Sequence, residues 1–270
     1  MRLAELGSLD VADATAARDA IAILPVAAVE QHGPHLPVTT DRDLVTAIAG
    51  AAEERLRDRV VLCPTLPYGS SHHHLAFPGT LSLAPDLFTN VVVDLCRSLV
   101  RSSRFRRIVI LNGHGGNVTP VRQALAILAH APDTSGAEIV LATYWELANP
   151  AFAGAAPMES PALSHACEYE TSMMLHLHAE RVRMDRVQRA ARPVSNGYIG
   201  WEDDEPYRGV TVVHRTEFIS SNGSSGEPHK ATAAKGRHLV DAAVHALVEF
   251  LESFATWPVP PEDLRQKHGA

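Results

Sequence analysis

Residues Ile108 to Ala129 read IVILNGHGGNVTPVRQALAILA. The opening run, Ile108 to Leu111, is wholly apolar and short, as a buried strand is. Glycines 113, 115 and 116 then surround His114, and they let the backbone turn sharply and approach a bound group. A glycine loop entering a helix can also cradle an anion with its N–H groups. Val118 to Ala129 continues as a helix, so the unit is strand, glycine loop, helix. The same alternation recurs on both sides. Upstream, Ile21 to Val29 (IAILPVAAV) is an apolar run typical of a strand covered on both faces. Asp41 to Leu56 places Leu44, Ile48, Ala52 and Leu56 at steps of four, which reads as an amphipathic helix with an acidic start. Val60 to Leu66 reads as a strand, and Pro85 to Val100 as a helix opened by a Pro-Asp pair. Downstream, Glu138 to Thr143 is a strand, Glu168 to His178 a helix, and Lys230 to Phe254 a closing helix. Such alternation predicts an α/β protein with a mostly parallel sheet and helices on both faces. Ligands then gather at loops beyond the carboxyl ends of the strands.

The chain has 270 residues, 46% of them hydrophobic, enough for one large core, and no internal repeat or linker divides it. A single domain over residues 1–270 is expected. Residues 192–229 are rich in Gly, Ser, Asn, Asp and Glu and read as a long active-site or interface loop. The net charge of −7 repels phosphate backbones and anionic lipid, so neither nucleic acid nor a membrane surface is an expected partner. No apolar stretch is long enough to span a bilayer, and the N-terminal MRLAELGSLDVADA does not read as a signal peptide. Cys63, Cys96 and Cys167 are widely spaced without a CxxC, which fits a reducing cytoplasm.

Three clusters carry chemistry. EQHGPHLP, Glu30 to Pro37, begins where the Ile21 strand ends, with Thr40 and Asp41 shortly after. Glu30 and His32 are two apart, so on extended backbone they point the same way, and both are suitable metal ligands. Asp41 alone would be a helix cap; beside this pair it is a third candidate ligand. The second cluster is the glycine loop with His114. The third is SHACEYETS, Ser164 to Ser172, in which His165 and Glu168 share a face if the segment is already helical. Glu170 joins them only if the chain is still extended there. The run YGSSHHH, Tyr68 to His74, offers one histidine, His74, as a pocket wall, because adjacent residues on a strand alternate faces.

These motifs, together with FPGT at Phe77 to Thr80 and ATAAKG at Ala231 to Gly236, resemble the creatininase family of amidohydrolases. Their order and spacing agree with the family from about residue 20 to 180. The resemblance implies a three-layer α/β/α sandwich, a homo-oligomer with a hexamer favoured, and two divalent ions per chain, commonly zinc, manganese or iron. It also implies that Glu30 and His114 hold one ion and His32 the other, with Asp41 bridging. Creatininases proper carry a Tyr and a Glu after the histidine of the Asn-Gly-His motif, and that Glu is a ligand. Gly115 and Gly116 stand there in this chain. Glu168 is expected to replace the missing ligand, with Glu170 next in line. The glycines also point away from creatinine, towards the Asn-Gly-His-Gly-Gly-Asn subgroup, which includes a formamidopyrimidine deformylase, peptidases and lactam hydrolases.

The expected reaction is hydrolysis of a C–N bond in a small amide, formamide or lactam by metal-activated water. His165 would donate a proton to the leaving nitrogen and Glu170 would orient His165 or the water. Two alternatives are a non-catalytic metal- or ligand-binding oligomer and a dinuclear phosphoesterase. The pocket is expected to be shaped by Tyr68 to His74, Trp145 and the loop Asn196 to Trp201.

Overall fold

The computed structural model of the chain describes residues 1–155, 158–160, 163–188 and 213–261. The Asn196 to Trp201 loop lies outside the described residues. Strands β1 (Ile21–Val26), β2 (Val60–Leu62), β3 (Arg107–Asn112) and β4 (Glu138–Thr143) form one sheet in the order β2-β1-β3-β4, with every pair parallel. Parallel neighbours need a crossover, and helices supply each one. Helix α2 (Thr40–Arg55) joins β1 to β2, α3 (Pro85–Arg101) joins β2 to β3, and α4 (Val118–Ala129) joins β3 to β4.

Side chains alternate across a strand, and here each face has its own core. Ile21, Ile23, Val109 and Leu111 pack with α2 and with α5 (Tyr144–Ala155), α6 (Glu168–His178) and, after the short α7 (Thr216–Ile219), α8 (Ala233–Phe254). Ala22, Leu24, Ile108 and Ile110 pack on the other face with α1 (Ser8–Arg18), α3 and α4. Each large side chain so buried contributes about 1.5–3 kcal/mol. The result is the expected sandwich of helices, parallel sheet and helices.

Two elements were not legible as periodic runs. Helix α5 starts at Tyr144, directly after β4 with no intervening loop, and carries an internal Pro150. Helix α1 is held at its start by the Gly7 amide, which donates to the Asp10 carboxylate at 2.8 Å. Strand β2 stops at Leu62 and does not run to Leu66, because Pro64 has no N–H for the ladder. Pairing resumes where Leu66 donates to the Pro25 carbonyl and Ala27 to the Leu66 carbonyl.

Register places the site. Val26 pairs with Asn112, and Asn112 with Thr143, so β1, β3 and β4 end on one line. The segments that follow, carrying Glu30, His114 and Trp145, leave the sheet from one edge. Opposite them, α6 is held against α8 by a close approach at Gly236, where an added Cβ would overlap the backbone carbonyl of Ser172.

Gly236→Ala should therefore destabilise the chain by about 1–3 kcal/mol, despite the roughly 1 kcal/mol that alanine gains in helix propensity. The midpoint of urea unfolding reports it; an unchanged or raised midpoint would contradict the packing described.

Candidate metal centre

Glu30, His32, Asp41 and His114 are all buried at the carboxyl edge of the sheet, and their ligand atoms converge. Glu30 follows β1, and its amide donates to the Val38 carbonyl at 2.9 Å, which folds the EQHGPHLP loop back on itself. One carboxylate oxygen accepts a short hydrogen bond from Ser71 Oγ. The other, Oε1, lies 3.3 Å from His114 Nδ1, 3.5 Å from His74 Nε2 and 3.6 Å from His165 Nδ1. Asp41, in the first turn of α2, stands between two rings: Oδ1 is 3.0 Å from His32 Nε2 and Oδ2 is 3.1 Å from His114 Nδ1.

Backbone carbonyls set the histidine tautomers. His32 Nδ1 lies 3.2 Å from the Glu30 carbonyl oxygen, His114 Nε2 3.1 Å from that of Ser70, and His165 Nε2 2.7 Å from that of Gln31. A carbonyl oxygen only accepts, so His32 Nδ1 and His114 Nε2 carry the proton in the neutral ring. His165 Nε2, which also lies 3.0 Å from the donor Gln31 Nε2, directs its proton to the shorter carbonyl contact. The remaining nitrogen of each ring then presents a lone pair to the carboxylates, the usual outer arrangement of metal-binding histidines.

Glu168 does not take part. It is fully buried, but its carboxylate is held by Lys235 Nζ at 2.6 Å and by the amides of Ser160 at 2.7 Å and Glu159 at 3.0 Å. Burial opposes its ionisation, yet Lys235 and these amides outweigh burial and keep its carboxyl below the ordinary range. The helical spacing of His165 and Glu168 fails for a local reason. Helix α6 begins only at Glu168, and Ala166 before it adopts a left-handed backbone with φ 50°. His165 is therefore turned back from the loop, independently of the helix face. Glu170, in the first turn, faces the cluster: Oε1 is 3.8 Å from His32 Nε2 while Oε2 accepts from the Ala166 amide at 2.5 Å. His32, His165 and Glu170 form a compact group of possible ligands.

The second of the two glycines after His114 has a structural reason. A Cβ at 116 would collide with the Ser70 carbonyl oxygen and the His73 ring, whereas one at 115 would meet nothing within 4 Å. The Tyr68–His74 segment has closed over the glycine loop and uses the room a side chain at 116 would need. Asn117 locks this closure, accepting from the Ser70 amide at 2.9 Å and donating to the Ala27 carbonyl at 3.0 Å. The three histidines lie on one 3-10 turn, so His73 and His74 face the cavity while His72 bonds Ser82 outside it. Tyr68 is exposed and does not line the cavity.

Gln31 went unremarked in the sequence because an amide has no ligand signature. Its Nε2 lies 2.7 Å from His74 Nδ1 and 2.9 Å from the Gly223 carbonyl, tying the Asn222–Ser225 turn to the site. Thr216 Oγ1 approaches the same His74 nitrogen at 2.9 Å.

The electrostatics call for a cation. Burial disfavours a charged His32, but Asp41 and Glu170 outweigh burial and hold its pKa well above the ordinary histidine value. His114 is likewise opposed by burial and raised to about 10 by Glu30 and Asp41. Among the described residues, protons on these rings are the positive charge that meets the carboxylates. Even so, His32 Nε2 and Asp41 Oδ2 are buried without a hydrogen-bond partner among the described residues. Imidazole and carboxylate donors with orphaned, converging lone pairs fit divalent ions of the zinc, manganese or iron type. His165 differs: burial, then the neighbouring His32, lowers its pKa to about 3, so it is neutral.

The cluster opens into a cavity of about 730 Å³ walled by Val118 and Arg122 of α4, Trp145 to Phe152 of α5, and Thr216 to Ser225. Among the described residues no helix is long and apolar enough to cross a membrane.

Comparison with known proteins agrees with this geometry. Residues 4–251 match the family model described as creatininase, creatinine amidohydrolase. The mycofactocin precursor peptide peptidase of Mycobacterium tuberculosis (strain CDC 1551 / Oshkosh) is 31% identical over 96% of this chain and 94% of its own length. The creatinine amidohydrolase of Pseudomonas putida is 35% identical over 64% of this chain and 70% of its own. A crystal structure of creatinine amidohydrolase superposes with TM-score 0.77 at 27% identity, covering 95% of this chain and 98% of that one. Two further creatininase structures, a manganese form and a mutant of Zn-Zn type, match at 28% identity with TM-scores 0.75 and 0.74, each covering 94% of this chain and 98% of that one. The buried carboxylate–histidine cluster and the sandwich that carries it thus place the chain in the creatininase family of metal-dependent amidohydrolases.

Proposed function

We propose that this chain binds two divalent ions, zinc, manganese or iron, and hydrolyses the C–N bond of an amide, formamide or lactam. The observation that carries the reading is the set of carbonyl-pinned imidazoles whose free nitrogens meet three buried carboxylates at the cavity floor. Glu30 and His114 would hold one ion, His32 and Glu170 the other, with Asp41 between them. Glu170 thereby replaces Glu168 as the fifth ligand. Ions bound there supply Lewis acidity, which lowers the pKa of water towards neutrality and polarises a carbonyl oxygen.

The chain's own groups do the rest. His165 has its Nε2 proton committed to the Gln31 carbonyl, so Nδ1 is the face that exchanges protons. Neutral at rest, it takes a proton from the attacking water at Nδ1 and delivers it to the leaving nitrogen. Gln31 holds the loop and the neighbouring His74 in place while it does so. A peptide amide is a second reading, favoured by a cavity of about 730 Å³, larger than a single small amide needs. A relative named as a precursor peptide peptidase points the same way. We place the enzyme in the cytoplasm, consistent with its three free, buried cysteines, and expect a hexamer, whose contacts would cover apolar residues such as Leu87 and Leu95.

Hydrolysis of a panel of formamides, lactams, short peptides and phosphoesters by protein loaded with each metal tests the reaction class. Turnover of phosphoesters alone would overturn the amide reading, and loaded protein inert to the whole panel would favour a binding role.

Metal counting separates the two glutamates. Glu170→Gln should lower bound metal from about two ions per chain to about one. Glu168→Gln should keep both ions yet lose about 3 kcal/mol of stability by stranding Lys235. The reverse pattern would restore Glu168 as ligand. His165→Ala should retain its metal and lose about 10²- to 10⁴-fold in kcat.

The histidine protons give a pH signature in the metal-free chain. His114 has a folded pKa near 10 against an ordinary 6.5, so its stabilising contribution is complete below about 6.5 and is lost as pH rises towards 10. Thermal midpoints of metal-free protein should fall from pH 7 to 10, whereas metal-loaded protein, with that ring deprotonated throughout, should not follow. Parallel profiles for the two forms would contradict the assignment.

A further inference from the structure

Most of the cavity's polar lining belongs to the cluster on its floor. Two charged wall residues, Arg122 and Glu146, do not. Arg122 lines the cavity from α4, and it is the only lysine or arginine among the described lining residues. It follows Val118 by four, so the two share one face of the helix and stand about 6 Å apart along its axis. Side chains on a helix tilt towards its N-terminus, and the N-terminus of α4 is the glycine loop that carries His114. Arg122 is exposed, so its guanidinium stands in solvent on this wall, open to a ligand that enters the cavity. Among the described residues no ion pair joins it to a carboxylate, not even to Glu146, which lines the same cavity. The Asp133 carboxylate, beyond the far end of α4, is taken by Arg97 and Arg101 of α3. The same cavity is lined from α5 by Trp145, Asn149 and Phe152, which recur at helical spacing and give an apolar slot with one amide.

We propose that Arg122 is a specificity-determining residue that binds a free carboxylate of the substrate, so that the preferred substrate is an anionic amide. A guanidinium presents a planar fork of donors that matches a carboxylate with two parallel hydrogen bonds, a geometry a neutral carboxamide cannot satisfy. The carboxylate and the scissile C–N bond then lie at different heights of one wall, which a cavity of about 730 Å³ accommodates. Charge balance agrees. Three floor carboxylates are offset by two dications once the ions are bound, and the unpaired arginine is left to meet an incoming anion rather than the floor. The inference rests on the amide-hydrolase reading above, and it names which amides.

The test uses matched pairs on metal-loaded full-length protein: N-formyl amino acids, N-acetyl amino acids and dipeptides, each as the free acid and as its C-terminal carboxamide. The native chain should prefer the acid of a pair by about 10- to 100-fold in kcat/KM, mostly through KM. Arg122→Gln, with metal content verified, should bring that ratio close to one. Equal rates for acid and carboxamide in the native chain, or a preference that survives Arg122→Gln, would overturn the proposal. Calorimetric binding of the same pairs keeps it separable from the amide reading. If no pair is hydrolysed, the amide reading fails for these compounds, and the acid-over-carboxamide binding ratio still decides on Arg122. Loss of that ratio in Arg122→Gln supports the subsite. A ratio unchanged by the substitution shows the acids bound at the floor alone and refutes it.

Discussion

Three carboxylates buried within one cluster cannot persist without compensating positive charge, and this constraint organises the chain. Glu30, Asp41 and Glu170 come from a loop after β1, the first turn of α2 and the first turn of α6. Each is removed from water, and a buried, unpaired charge costs several kcal/mol. Without metal, protons on His32 and His114 supply the compensation, which is why both rings are held so far above their ordinary pKa values. Divalent ions bound there would satisfy the same need and release those protons. Ligand binding, folding and pH response are thus three aspects of one electrostatic requirement.

The sheet delivers this cluster by register. Because β1, β3 and β4 end level with one another, the loops that leave them meet at one edge without long connections. The closure of the Tyr68–His74 segment onto the glycine loop then walls one side of the floor. It needs a residue without a side chain at 116, and Asn117 fastens it from both sides. The rings are aimed by backbone carbonyls, which cannot be lost by substitution of a side chain. Their tautomers are therefore a property of the fold.

Catalytic and binding duties separate along the cavity. Its floor is acidic and histidine-rich, its α5 wall apolar, and its α4 wall carries a single guanidinium. In the reading proposed above, Lewis acidity and proton transfer belong to the floor, and discrimination among amides to the walls. Family members that share a floor can therefore differ in substrate. The relatives' names, a peptide peptidase and a creatinine amidohydrolase, fit that division.

Sequence by itself determined the alternation of strands and helices, the parallel sheet, and four of the five ligands proposed for the metal ions. Those four lie within a few residues of strand ends, where local spacing carries the information: Glu30 and His32 two apart, Asp41 at a helix start, His114 among glycines. Tertiary structure decided the fifth. Which glutamate of HACEYETS faces the cluster depends on the left-handed turn at Ala166 and on Lys235 of α8, remote in sequence, which claims Glu168 for itself. Gln31 and Arg122 were hidden for a related reason. An amide and an arginine acquire meaning only from what stands across the cavity, and periodicity along a chain holds no record of that.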